Sequence, residues 1–231
     1  MDLFSWGSFV TSVMPIVTKL PLTLAIVVVA EIIGLVLGTA LAVIRIRRVP
    51  VLNQLSALYI SFVRGTPILV QLMLVYYGLP PLVEGLTGVS IARWDAIYFA
   101  VAALALNEGA FVAEIFRSSI ASVPAGQSEA GWASGLSRWA TLRRIVLPQA
   151  LRVGLPALGV SLIGLVQGTS LVFMLGVVDV MGQASALGAS TGRTVGPYLV
   201  VAIIYVALSL AIRAVLGLST QQMAAGRKVA A

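Results

Sequence analysis

Residues 123–152 read VPAGQSEAGWASGLSRWATLRRIVLPQALR, a polar stretch that lies between long apolar runs. It carries one glutamate and four arginines, although the flanking segments have few charges. Gly135 followed by Ser137 is typical of a helix end and of the N-cap of the next helix. We therefore predict two short helices, over roughly residues 127–134 and 138–146. A polar segment with this punctuation favours a docking surface over a slack connection.

The composition indicates a membrane protein. The chain is 59% hydrophobic and 10% charged, with a mean hydropathy of +1.04, whereas a soluble domain has about 25% charged residues. Several apolar runs are long enough to cross roughly 30 Å of hydrocarbon. We predict an all-α integral membrane protein with one domain over residues 1–231 and a polar loop at 121–152. About five transmembrane helices are predicted at residues 22–44, 54–78, 96–116, 153–178 and 197–216, with external loops at 79–95 and 179–196.

Several classes of chemistry are excluded by residue type. The chain has no cysteine and no histidine, which excludes disulfides, thiolate or imidazole metal sites and histidine-based catalysis. Its only lysines, Lys19 and Lys228, leave no GxxxxGK[ST] phosphate loop. We therefore expect a non-catalytic chain that binds no metal and no cofactor. The first residues, 1–4, have no basic segment and do not resemble a cleaved signal peptide.

The basic residues predict the orientation. Lysine and arginine cluster in three segments, and five spans with an external N-terminus place all three on the cytoplasmic side. The C-terminus and the polar loop then face the cytoplasm. This distribution is typical of membrane topology, so we expect contact with lipid and none with nucleic acid despite the net charge of +7. The clustered residues are Arg45, Arg47, Arg48, Arg117, Arg138, Arg143, Arg144, Arg152, Arg213, Arg227 and Lys228.

Polar residues at membrane depth are the candidates for function. Gly65 and Pro67 predict a helix break inside the second span, and backbone freed at that depth must be buried in protein or line a cavity. Arg64, beside the break, would suit a substrate carboxylate. The alternatives are that Arg64 snorkels, or that it pairs with Glu31 or Glu108.

Asn107 and Glu108 form a polar pair in the middle of the third span, and such a pair rarely faces lipid. Glu31 in the first span has either a structural or a functional role. Gly34 and Gly38 form a GxxxG pattern, for which we predict packing within the chain. The predicted pathway residues are Arg64, Gly65, Thr66, Asn107, Glu108, Thr169 and Ser170.

Two strings carry a family resemblance. The first runs from Gly126-Gln127-Ser128-Glu129-Ala130 through Gly135-Leu136-Ser137 to Leu147-Pro148. It resembles the "EAA" loop in membrane permease subunits of ATP-binding-cassette (ABC) importers, in the polar amino-acid subgroup. The second string, from Phe62 to Pro80, resembles the "F.RGTP..vQ…YYGLP" signature of that subgroup, and Glu114 to Arg117 resembles its "AE..R" string, in which Glu114 is expected to pair with a loop arginine.

The resemblance implies a type I ABC importer-like permease in the inner membrane of a prokaryote. Its expected partners are two copies of an ABC ATPase subunit that binds ATP-Mg, a second permease subunit (itself or a paralogue) and an extracytoplasmic solute-binding protein. The polar loop would be the coupling loop that contacts the ATPase. The implied coupling residues are Gly126, Gln127, Glu129, Ala130, Gly135, Leu136, Ser137, Leu147 and Pro148.

The chain departs from the family pattern at three places. Gly131 stands where alanine is usual, which weakens a helix by on the order of 1 kcal/mol and is expected to loosen the first short helix. Gln167-Gly168 replaces the usual Lys-Asp, and Val160 replaces an asparagine. Basic amino acids are therefore less expected as substrates, while glutamine, glutamate and cystine remain open.

Two other classes remain open from the residues alone. An ion-gradient-driven secondary transporter could use Glu31 and Glu108 as a relay. It would not need the cytoplasmic two-helix loop, and the chain shows no internal repeat. A membrane scaffold would explain the loop but not Arg64, Asn107 and Glu108.

Overall fold

The computed structural model describes residues 5–228, with side chains described for residues 5–217. Residues 1–4 and the side chains of Arg227 and Lys228, which enter the predictions above, lie outside these ranges. The described chain is helical and contains no strand. Its α-helices are α1 (Trp6–Val17), α2 (Leu20–Arg47), α3 (Leu52–Gly65), α4 (Ile68–Met73), α5 (Leu79–Thr87), α6 (Ala96–Ala121), α7 (Ala125–Ala133), α8 (Arg138–Thr141), α9 (Leu147–Gly168), α10 (Val180–Thr191) and α11 (Val195–Lys228).

Two π-helical segments and one 3₁₀ segment adjoin these α-helices. A π-helical segment, Leu74–Gly78, connects α4 to α5, and another, Leu142–Val146, connects α8 to α9. A 3₁₀ segment, Thr169–Leu175, extends α9.

The prediction of five apolar spans is confirmed. By length and composition, five helical segments of the described chain could cross a membrane, and Trp6–Val17 is a shorter apolar helix. The five are Leu20–Arg47, Ile68–Thr87, Ala96–Ala121, Arg138–Leu175 and Val195–Gly217.

The second span differs from the prediction of residues 54–78. The helix break is present at Thr66-Pro67, but the apolar span lies beyond it, because residues 79–87, predicted as loop, form α5. Proline is tolerated in the first helical turn, where no N–H is required. Pro80 lies in the first turn of α5, directly after the π segment, so the Leu-Pro-Pro sequence continues the helical run Ile68–Thr87 instead of ending it.

The segment after the fourth span was also predicted as loop, over residues 179–196, and most of it is α10. Its glycine, serine and threonine residues are weak helix formers, yet Gly182, Ala184 and Gly188 are buried. Asp179 caps the helix by accepting a hydrogen bond from Gly182 N at 2.9 Å. Tertiary packing and this cap therefore override the weak local preference.

The fourth span begins earlier than the predicted residues 153–178. The second short helix, predicted over 138–146, is not separate: α8, the π segment and α9 form one continuous helical run through Pro148 and Pro156. Pro148 lies in the first turn of α9, after the π segment. Proline therefore marks a change of helix type here and not an end.

The core depends on the contact between α2 and α6, which pack extensively against each other. A Cβ added to Gly38 would lie 2.6 Å from Val112 Cβ and 2.8 Å from the carbonyl oxygen of Gly109. A Cβ on Gly34 would lie 2.9 Å from Glu108 Cβ. The GxxxG pattern therefore serves packing within the chain, as predicted.

We expect Gly38→Ala to destabilise the protein, because the added methyl group has no space between α2 and α6. Overpacking of this kind costs about 1–3 kcal/mol, which exceeds the gain of about 1 kcal/mol in helix propensity. Thermal unfolding of the purified chain in mild detergent measures the effect. The control is Gly85→Ala in α5, where a Cβ meets nothing within 4 Å; equal melting temperatures for the two variants would contradict the prediction.

Candidate functional site

A cavity of about 650 Å³ lies beside α6, between the helix break and α9. Its wall is mostly apolar, with Thr66, Asn107, Glu108 and Ser161 as polar members. We call it the intramembrane cavity. Small-molecule sites are typically concave, largely apolar and equipped with a few convergent polar groups, and this cavity has that character.

Three of the predicted pathway residues, Thr66, Asn107 and Glu108, line the intramembrane cavity. Arg64 is exposed, and its guanidinium carbon lies 5.4 Å from the centroid of the Phe111 ring, which also lines the cavity. Arg64 therefore lies at the edge of the cavity. Gly65 is exposed at the helix break and is not part of the wall.

Thr169 and Ser170 lie elsewhere. Thr169 is fully buried, and its hydroxyl donates to Val166 O at 2.7 Å and lies 2.9 Å from the hydroxyl of Tyr205. Ser170 Oγ donates to Gln167 O at 2.6 Å. Both hydroxyls donate to carbonyl oxygens at the C-terminal end of α9. Neither residue lines the intramembrane cavity.

Glu108 is 2% exposed, and its Oε1 accepts a hydrogen bond from Ser161 Oγ at 2.6 Å. Ser161 was not among the predicted residues, because a single serine in an apolar span gives no strong signal. Glu31 on α2 is close enough to interact electrostatically with Glu108, and its Oε2 is buried without a hydrogen-bond partner. The two carboxylates therefore meet at the contact between α2 and α6.

The helix break is held together by side chains. Pro67 has no N–H, so the carbonyl of Val63 loses its usual donor four residues on. Gln71 Nε2 replaces that donor at 2.7 Å and also lies 3.0 Å from Thr66 O and 2.9 Å from Thr66 Oγ1. Thr66 Oγ1 in turn donates to Phe62 O at 2.9 Å. The freed carbonyls are therefore satisfied inside the protein, as membrane burial requires.

Asn107 joins α6 to this break, because its Nδ2 donates to Gln71 Oε1 at 3.0 Å. Within the described side chains, no donor bonds Asn107 Oδ1 or the second oxygen of Glu108. The intramembrane cavity therefore offers two acceptors and one remaining hydrogen of the Asn107 amide. The Thr66 hydroxyl already donates to Phe62 O and accepts from Gln71 Nε2.

The charged residues pair locally. Within the described part of the chain the one ion pair joins Glu114 to Arg117, one helical turn away on α6, and not to an arginine of the loop as predicted. Arg45 and Arg64 lie close enough to Glu114 to attract it. Arg64 makes no ion pair with Glu31 or Glu108, so the proposed internal pairing of Arg64 is wrong.

The turn between α7 and α8 in the polar loop has the predicted local structure. Gly135 ends the first short helix with φ at +80°, a left-handed conformation that glycine adopts without strain. Ser137 caps the next helix, where its Oγ accepts from Ala140 N at 3.2 Å. Most of the coupling residues are exposed and Leu136 is half-buried; the exposed ones are Gly126, Gln127, Glu129, Ala130, Gly135, Ser137, Leu147 and Pro148.

Gly131 does not loosen the loop, contrary to the expectation. It is buried, and a Cβ there would lie 2.9 Å from Thr141 Cγ2 and 3.0 Å from Ile145 Cδ1. The missing side chain lets α7 lie directly against α8 and the following π segment. Glycine at this position therefore tightens the two-helix unit.

Comparison with known proteins gives consistent results. The sequence model of the family described as "Binding-protein-dependent transport system inner membrane component" matches residues 32–224. The L-cystine transport system permease protein TcyL of Bacillus subtilis (strain 168) is 42% identical over 209 residues, which cover 90% of this chain and 86% of that protein. The glutamate/aspartate import permease protein GltK of Escherichia coli O157:H7 is 33% identical over 207 residues, covering 90% and 92%.

Two solved structures share the fold. A structure described as an amino acid ABC transporter with histidines aligns with a TM-score of 0.83 and 32% identity, covering 95% of this chain and 99% of that chain. The methionine ABC transporter MetNI in an inward-facing conformation aligns with a TM-score of 0.71 and 19% identity over the same shares. The second likeness supports the fold alone.

We expect Gly131→Ala to lower the free energy of unfolding by about 1–3 kcal/mol, because the methyl group overlaps Thr141. Adding Thr141→Ala should restore most of the loss by removing Cγ2 and an Oγ1 that is buried without a partner. The control is Gly126→Ala on the same helix, where a Cβ has open space. Thermal unfolding in detergent gives the stability of the three variants and of the wild type. A double variant less stable than Gly131→Ala would contradict the packing explanation.

Proposed function

Since the chain belongs to the family of binding-protein-dependent transport system inner membrane components, we propose that it forms one half of the translocation pathway of an ATP-driven importer for a polar amino acid. It is a permease subunit of an ABC importer for amino acids. The observation that carries the finer proposal is the intramembrane cavity, in which Asn107 and Glu108 hold unpaired acceptors.

The chemistry of the cavity suits a zwitterion. Every free α-amino acid carries an ammonium donor group and a carboxylate acceptor group. The second oxygen of Glu108 and Asn107 Oδ1 would accept from the ammonium group, and Arg64 at the cavity edge would bind the carboxylate. Charge-assisted bonds of this kind are about twice as strong as neutral ones.

The residues of the cavity wall also restrict which substrate side chains the cavity would accept. Glu108 is the one acidic residue among the described residues of its wall, and the ammonium group would engage it. Val160, which lines the cavity and is 71% exposed, offers no polar contact. A basic side chain would therefore lack a partner, which favours neutral or acidic polar amino acids such as glutamine, glutamate or cystine.

Coupling to ATP hydrolysis would use the polar loop. Two ABC ATPase subunits, a second permease subunit and an extracytoplasmic solute-binding protein are the partners that this role requires, and ATP-Mg would be bound by the ATPases. The exposed coupling residues on α7 and at the start of α8 would lie in a groove on the ATPase. In this role the loop and the C-terminus would lie in the cytoplasm of a prokaryote and the N-terminus outside.

One helical element supports this coupling. The continuous run Arg138–Leu175 begins in the polar loop and includes Ser161, which donates to Glu108 in the cavity. A displacement of the loop would therefore move the cavity wall directly. Alternating access would follow if ATP binding closes the ATPases and rocks this helix in each permease subunit.

The ion-gradient alternative gains no support from the relatives described above. Glu31 and Glu108 lie at a helix contact, and Glu108 is bonded to Ser161. Glu108 is accounted for by its bond to Ser161 and by the ligand chemistry of the intramembrane cavity.

We expect Gly135→Asp to uncouple transport from ATP hydrolysis while membrane insertion stays intact, because it adds a charged side chain at a left-handed turn of the coupling surface. Uptake should fall at least about 10-fold, within the usual range of coupling between two sites. A panel of radiolabelled amino acids measures uptake, and phosphate release measures hydrolysis. The matched control is Gly192→Asp, also left-handed and exposed but beyond the far end of the fourth span. Normal uptake by well-expressed Gly135→Asp would rule out this role.

We expect Arg64→Ala to raise the KM for the carried amino acid about 10- to 100-fold, because a charged hydrogen bond contributes about 1.5–3 kcal/mol. Uptake kinetics in cells that express the complete importer give the value. Arg93→Ala, at an exposed position between α5 and α6, is the control and should change nothing. Unchanged KM and rate in Arg64→Ala would remove Arg64 as a substrate contact.

A further inference from the structure

We propose that Gln71 is a positioning residue that transmits the occupancy of the intramembrane cavity to the helix break between α3 and α4. The proposal rests on the proposed function, since it takes the cavity as the place where the amino acid binds. Gln71 itself is 6% exposed and does not line the cavity, so it acts through its neighbours.

Two carbonyl groups at the helix break need a hydrogen-bond donor from a side chain. Thr66 is extended, with φ −116° and ψ 144°, and the next residue, Pro67, cannot donate. The carbonyls of Val63 and Thr66 therefore face the protein interior without helical partners. An unsatisfied carbonyl at this depth is costly, and Gln71 supplies the missing hydrogens.

Gln71 Nε2 has more acceptors within reach than it has hydrogens, so the hydrogen bonds at the helix break can be redistributed. Gln71 Nε2 carries two hydrogens, yet three acceptors lie within reach, at 2.7, 3.0 and 2.9 Å. At least one hydrogen is therefore shared between two acceptors, an arrangement known from helix termini. A small change in the angle between α3 and α4 can redistribute these bonds without leaving either carbonyl unpaired. The break can thus bend at low cost.

The same amide is tied to the cavity. Because Gln71 Nε2 faces the carbonyls, its Oε1 must face α6, where it accepts from Asn107 Nδ2 at 3.0 Å. Asn107 lines the cavity and keeps its Oδ1 free for a ligand. A bound ammonium group that draws Asn107 Oδ1 into the cavity also moves Nδ2, and with it Gln71. Occupancy of the cavity and geometry of the break are therefore linked through two amides.

A purely structural role would be satisfied by any arrangement that pairs the carbonyls, and it would not involve the direction of the Asn107 bond. Asn107→Asp separates the two possibilities. It keeps the acceptor that faces the ligand but replaces the donor with an oxygen that repels Gln71 Oε1. Gln71→Met removes the amide while keeping nearly the same side-chain length.

The experiment uses the complete importer in proteoliposomes, with its ATPase and solute-binding protein and with radiolabelled cystine, glutamine and glutamate as probes. We expect Asn107→Asp to raise the ATP hydrolysed per amino acid transported about 10-fold, within the usual range of coupling between sites. KM is not used to judge this variant, because the substitution also adds a negative charge beside the proposed ammonium site. An unchanged ATP ratio would overturn the proposal.

A double-mutant cycle gives the second arm. Asn107→Ala should raise both KM and the ATP ratio in the wild-type background, but only KM in the Gln71→Met background, where the link is already absent. An equal loss of coupling in both backgrounds would overturn the relay. If Glu108→Gln and Asn107→Ala both leave KM unchanged, the cavity is not the substrate site and the proposed function fails with it. A failed relay alone leaves those KM effects in place.

Discussion

The close contact between α2 and α6 is the constraint on which the rest of the structure depends. Gly34 and Gly38 present no side chain to α6, so the two backbones approach until added Cβ atoms would overlap. In lipid, apolar surface gives no hydrophobic drive for helices to associate, and close van der Waals packing replaces it. Gly109 belongs to the same contact, and Asn107 and Glu108 precede it directly on α6. Fixing α6 therefore fixes the direction of both polar side chains, one toward Gln71 and the other toward Ser161.

The second constraint is that no backbone polar group can be left unpaired at membrane depth. Pro67 leaves the carbonyl of Val63 without its helical donor, and Gln71 Nε2 donates to that carbonyl instead. The outcome is a helix break whose carbonyls are paired, next to a cavity whose unpaired polar atoms are mostly acceptors. The helical run Arg138–Leu175 then carries the exposed loop and the cavity wall on one element. The proposed sites of recognition and of coupling would therefore be joined by this one helical run.

Local chemistry explains what could be predicted. Hydropathy, charge and turn residues are properties of neighbouring positions, so the five spans, the break beside Pro67, the left-handed Gly135 and the cap at Ser137 follow from the sequence. Where tertiary packing competes with local preference, the predictions were wrong: residues 79–87 and most of 179–196 are helical, and the second short helix continues through Pro148 into α9.

For the site, the sequence by itself determined which residues are too polar to face lipid, and three of them, Thr66, Asn107 and Glu108, line the cavity. Only the tertiary structure decided that Thr169 is enclosed beside Tyr205, that Ser161 meets Glu108, and that Gln71 supports the break. The physical reason is that the cost of burying a polar group can be read from its residue type. Its partner, by contrast, lies tens of positions away and is chosen by how the helices pack.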